Sequence, residues 1–163
     1  MNEPQTKFVV GVTPEQLPND QFRQAYKFWL DARGADMVPL VPAIDPLKLP
    51  KNLLPDLSII SVEEGPKRFW VRLVGTRIVR AIDLDLTNTW GDDVPGGEEV
   101  RQGFERCIES RMPYYSEGPT IWSTNDYKTY HSLLLPFADA QGTIKRLLTY
   151  LQFHERSLKA RSA

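Results

Sequence analysis

Residues 57–82 constrain the fold more than any other part of the chain. Leu57-Ser58-Ile59-Ile60-Ser61-Val62 and Phe69-Trp70-Val71-Arg72-Leu73-Val74 read as two strands joined by the turn Glu64-Gly65-Pro66-Lys67. Gly accepts positive φ and Pro fixes φ near the value a turn uses, so this tetrapeptide reverses the chain cheaply. Period-two alternation predicts Phe69, Val71 and Leu73 on one face of the second strand, with Arg68, Trp70 and Arg72 on the other. At Gly75-Thr76 the habit changes: Ile78, Val79 and Ile82 fit one side of a short helix over 76–82. A hairpin that feeds directly into small helices leaves one sheet face to be covered by them, and small pockets arise at such junctions.

Around this hairpin the remaining elements can be placed. Asn19 or Asp20 caps a helix whose Phe22, Ala25, Tyr26, Trp29 and Leu30 share one face, and Gly34 ends it. Phe28 lies off that stripe and is the candidate interface residue of the helix, with Trp70 as a second candidate on the hairpin's polar side. Asp45-Pro46 predicts a short helix running to about Leu53. A longer helix over 98–111 presents Val100, Phe104, Cys107 and Ile108 inward, and Pro113 stops it. Three further strands are expected over 114–122, 130–137 and 144–153, the last two joined by the connection from Asp139 to Gly142. The expected fold is α+β: a five-stranded antiparallel sheet with helices on one face and an N-terminal helical extension. The expected organisation is an arm over 1–18, a helical extension over 19–56 packed on the domain, a core over 57–154 and a tail over 155–163.

Composition bounds the function. At 163 residues the chain is one domain's length, and its 20 basic and 21 acidic residues are interspersed, which argues against direct nucleic-acid binding or a polybasic membrane anchor. Apolar runs are too short to span a bilayer and the first residues lack an export signal, so a cytoplasmic address is the expectation. The single cysteine, Cys107, excludes an internal disulfide and a Cys-based zinc site, and its apolar helical surroundings make it an inert core thiol.

Specific words carry a family resemblance: Trp29 with Ala32-Arg33, Ile44-Asp45-Pro46, Leu53-Leu54-Pro55, Arg68-Phe69, Arg72-Leu73-Val74-Gly75-Thr76, Asp85-Leu86-Thr87 and Leu135-Pro136-Phe137. Together they resemble a PAS-domain family found mainly as short stand-alone proteins in proteobacteria. One departure is Asn88, where the pattern has glycine; Asn also tolerates the left-handed region. The resemblance implies a sensory or protein-interaction module and no catalytic motif. A haem sensor of this kind would need a histidine between residues 75 and 114, where there is none, and a photoreceptor-type flavin adduct needs an Asn-Cys-Arg-Phe-Leu-Gln word that Cys107 does not sit in. Both cofactors are disfavoured, and the cofactor is otherwise unspecified.

The candidate ligand-binding residues are His131, Tyr115, Trp90, Arg80, Phe69 and Phe104. His131 alternates with Leu133, Leu135 and Phe137, expected to be the inner face of its strand. Arg77, Arg80 and Trp90 flank the loops that would close a pocket, and an arginine can pair with an anionic ligand. His131 and His154 lack a positioned carboxylate motif and make a weak metal argument; the acidic loop Asp83, Asp85, Asp92, Asp93 lacks the calcium pattern. Three functions remain open: a sensory or regulatory domain that binds a small molecule or a signalling partner, a ligand-free module that dimerises through its N-terminal helix, and a small isomerase- or hydrolase-like enzyme pairing His131 with an aspartate such as Asp83.

Overall fold

Apolar residues fill both alternation classes of the central strands, so both sheet faces need a cover. The computed structural model, which describes residues 6–45, 47–94, 97–119 and 128–155, supplies two. Strands β1 (Lys7–Val10), β2 (Leu57–Val62), β3 (Phe69–Val74), β4 (Tyr114–Pro119), β5 (Lys128–Ala138) and β6 (Ile144–Glu155) form one antiparallel sheet in the order β1-β4-β5-β6-β2-β3. Helix α1 (Asp20–Arg33) covers one face, while α2 (Thr76–Ile82) and α3 (Gly97–Ser110) cover the other. The sixth strand exceeds the expected five because the arm's Phe8 and Val9 pair with Ser116 and Tyr115 at the β4 edge.

Each helix follows from its sequence. The Asn19 side chain accepts the Phe22 backbone N–H at 3.2 Å, and Gly34 closes α1 with φ at +56°. Phe22, Ala25, Tyr26 and Trp29 are buried against Leu133, Leu135, Phe137, Leu148 and Tyr150. Trp29 Nε1 also donates to the Pro136 carbonyl at 2.8 Å, which pins the helix to the sheet's middle. Leaving the Gly11–Met112 corner, the arm crosses to this face and buries Val12 and Leu17 beside α1. On the opposite face, Phe104 and Cys107 of α3 meet Ile60, Phe69, Val71, Leu134 and Leu147.

Two expectations change. No α-helix forms over 45–53 among the described residues; Leu54–Asp56 is a single 3-10 turn, because Pro50 and Pro55 lack the N–H groups that a longer helix would use. The alternation in β3 also slips. A register shift at Ile59/Ile60 pairs Ile59 with Leu73 and Ile60 with Val71, so Arg72 is the extra residue of a bulge. Leu73 is therefore 41% exposed, and Val74 rather than Leu73 joins Val71 on the α3 side. Part of the strand expected over 114–122 and the polar turn after it lie outside the described residues, as do Pro46 and the C-terminal tail.

Candidate functional site

The face under α2 and α3 is not fully packed. Between them and the sheet lies a cavity of about 520 Å³, within the range of small-molecule sites. Its floor is the sheet: Ile60, Val71, Val74, Leu134 and Leu151 contribute apolar surface from β2, β3, β5 and β6. Its roof is built from Ile78 and Ile82 of α2, Leu84 and Leu86 of the following loop, and Val100 and Phe104 of α3. Phe8 and Leu84, both about half exposed, line it as well, so the cavity reaches the surface beside them.

A band of hydroxyls crosses the floor. Ser58 and Thr149 are register partners and hydrogen-bond each other; Ser116 and Ser132 are register partners one strand pair away. All four are buried and all four line the cavity. Tyr130 shares a hydrogen bond with Ser116 and another with Thr6, and burial pushes its phenol pKa upward. Thr6 donates to Glu99 of α3. Arg106 sits 4.1 Å over the Phe8 ring and donates to the Tyr114 hydroxyl at 3.4 Å.

The loop between α2 and α3 is fastened so that it closes the roof. Val71 N–H donates to the Thr89 carbonyl and Asn88 N–H to the Val71 carbonyl, at 2.9 and 2.8 Å. Asn88 itself takes φ of +62°, the left-handed conformation in which it stands where the family pattern has glycine. Asp92 accepts the Arg68 and Phe69 N–H groups at 3.0 and 2.9 Å, which sets Gly91 against Phe69. At the other end, the buried Asp56 accepts from Arg77 of α2 at 2.8 Å.

The expected site residues separate. Phe104 lines the cavity, and the fully buried Phe69 backs it edge-on with ring centroids 4.9 Å apart. Trp90 turns to Trp70, 5.0 Å between centroids, and is not a lining residue. Arg80 is exposed on α2, and Arg77 is spent on Asp56. His131 and Tyr115 correct the expectation: their alternation class, with Leu133 and Leu135, faces α1 and not the cavity. Both faces of β5 are buried, so alternation could define two faces but not say which one carries the pocket. His131 also stands on the opposite side of the sheet from Asp83, which caps α2, so the imagined acid–base pair is not assembled.

What His131 does join is a polar cluster at the rim of the α1 layer. Its Nδ1 lies 2.7 Å from the Tyr115 hydroxyl and 3.2 Å from Glu117 Oε2, and Tyr115 donates to Glu117 at 2.8 Å. A proton on Nδ1 satisfies all three groups, with imidazole donating to phenol and phenol to carboxylate. Burial, reinforced by His154 nearby, holds the imidazole below its ordinary pKa against the pull of Glu117. Cys107 does not line the cavity either: its thiol is buried between the Met112 and Leu134 carbonyls and its pKa is pushed far up by burial.

Sequence reasoning missed the hydroxyl band. Its signal was present: Ser132 stands between Tyr130 and Leu134, and Thr149 between Leu147 and Leu151, at positions an apolar face would fill with aliphatics.

One antiparallel sheet roofed by short helices over a ligand-sized chamber defines an α+β domain of the sensor type. Residues 18–152 match the model of the PAS domain family, and the chain belongs to that family. No curated protein matches the chain. Among solved structures it is similar to an RNA-binding light-oxygen-voltage receptor, with a TM-score of 0.56 and 11% identity over 92% of this chain. The chain spans 39% of that receptor's length. It is also similar to the light-state dimer of the fungal blue-light photoreceptor Vivid, at a TM-score of 0.48 and 10% identity over 84% of this chain and 97% of that one. No helix among the described residues is long and apolar enough to cross a membrane.

Proposed function

We propose that this chain is a non-enzymatic sensory or regulatory domain that binds a small molecule non-covalently between the sheet and helices α2 and α3. The cavity of about 520 Å³ carries this reading. Packed interiors rarely leave voids much larger than a water, so an apolar chamber of this size is either filled by a ligand or costly to keep. Helix α2 supplies roof residues and is tied to the Leu54–Asp56 turn through Arg77. Occupancy therefore bears on an element that also touches the outer surface, where a signalling partner can sense it.

The experiment is native mass spectrometry of the purified chain, compared with its mass after denaturation. A small adduct lost on denaturation is the expected result and gives the ligand's mass. A bare dimer that stays bare when extracts of small metabolites are added would move the assignment to an interaction module. Such a module has less to stand on, because Phe28 packs against the α1-side core and Trp70 against Trp90, leaving Phe8 and Val10 of the β1 edge as the exposed large apolar residues in the described part of the arm.

A further inference from the structure

Ser132 is the least explained group in the cavity. The residue is 7% exposed and lines the floor, and its side chain makes none of the hydrogen bonds found among the described residues. Its neighbours are otherwise engaged or apolar: Ser116 across one strand shares a bond with Tyr130, Leu151 stands across the other, and Ser58 and Thr149 satisfy each other. The Ser132 oxygen is not among the sealed, unpaired side-chain atoms of the described residues, so it opens onto the cavity, a hydroxyl free to bond where most of the floor around it is aliphatic. The position is therefore one where a hydrogen-bonding group from outside the chain is worth most.

The charges around the cavity narrow what brings that group. Among the described residues, Glu99 is the lining carboxylate, and it is held by Thr6; Arg106 is the lining cation among them, and it is held over Phe8 and against Tyr114. No cation among the described side chains stands with the hydroxyl band on the floor. A carboxylate or phosphate at Ser132 would be desolvated without a counter-charge, which costs far more than one hydrogen bond returns. The arginines that an anionic ligand would have used are elsewhere, Arg77 on Asp56 and Arg80 in solvent.

We propose that the cavity takes an uncharged, mainly apolar small molecule whose single hydrogen-bonding group is anchored at the Ser132 hydroxyl, beside Ser116. This rests on the cavity being a ligand site, and the test separates the two. Isothermal titration of the full chain at neutral pH with naphthalene, 2-naphthol and 2-naphthoate compares one apolar frame bearing nothing, a neutral hydroxyl or an anion. The expected order is 2-naphthol about 3- to 10-fold tighter than naphthalene, the worth of one neutral hydrogen bond, with 2-naphthoate weakest. Ser132→Ala should bring 2-naphthol level with naphthalene while leaving naphthalene binding equal or tighter, and Ser132→Thr, which keeps the hydroxyl, should retain the preference. Circular dichroism of each variant checks that the fold is intact.

Binding of naphthalene with no gain from the hydroxyl, or a preference that survives Ser132→Ala, overturns the anchor. Tightest binding of 2-naphthoate overturns the neutral class. No binding of any of the three by the folded wild-type chain overturns the ligand-site reading itself.

Discussion

His131 shows how a single residue can be placed well in its strand and on the opposite sheet face from the cavity. Partly buried beside Phe22 and bonded to Tyr115, it has a pKa below the ordinary imidazole value because burial disfavours its charge. The unfolded imidazole therefore takes up its proton at higher pH than the folded one. Stability contributed by neutral His131 is complete above the unfolded value of about 6.5, falls as pH drops through it, and stops falling once the folded imidazole is also protonated. Urea unfolding between about pH 7 and pH 5 should give a steeper loss for the wild type than for His131→Gln, which keeps a hydrogen-bonding side chain but cannot titrate. Equal slopes would show that the imidazole is not perturbed by its surroundings.

At the scale of the element, α2 is only seven residues long and depends on its attachments. Asp56 is buried at the end of the Leu54–Asp56 turn, and desolvation raises its carboxyl pKa more than Arg77 lowers it. The two partners should respond unequally. Arg77→Ala leaves a buried carboxylate without its cation and should cost about 1–3 kcal/mol. Asp56→Asn removes the charge that burial penalises and should cost under about 1 kcal/mol, because losing the ion pair and losing the desolvation penalty offset each other. Chemical denaturation of both variants decides it; a larger loss from Asp56→Asn would mean the pair is net stabilising. The close seat of α2 on this turn also explains Gly75, where an added Cβ would lie 2.3 Å from the Pro55 carbonyl oxygen.

For the whole molecule, one sheet serves two cores. Leu133 and Leu135 of β5 pack under α1 while Leu134 between them packs under α3. The layers share a backbone and should melt together. Phe22→Ala, at a fully buried ring in contact with Tyr115 and Tyr150, should cost about 3–5 kcal/mol. Far-ultraviolet and tryptophan-fluorescence transitions of the variant should still coincide; two separated transitions would mean that the α1 layer unfolds by itself.

Most of the architecture was legible in the chain because its signals are local. The Asn19 cap, the Gly34 stop, the 76–82 helix and the hairpin strands over 57–62 and 69–74 depend on neighbours a few residues away, and each of these appears where they place it, although the alternation within β3 slips at its bulge. The family words around Arg72–Thr76 carried the fold beyond that, since they fix the hairpin-to-helix junction. What local signals could not contain was which face of a doubly buried strand looks into empty space. A strand with apolar residues on both sides obeys the same period whether α1 or α3 lies above it, and the bulge at Ile59/Ile60 changes the faces of β3 without changing its composition. The cavity, and the placing of Ser132 inside it and His131 outside it, are decided by how three helices share the two faces of one sheet. That is a long-range packing result, and it is where this protein's candidate function resides.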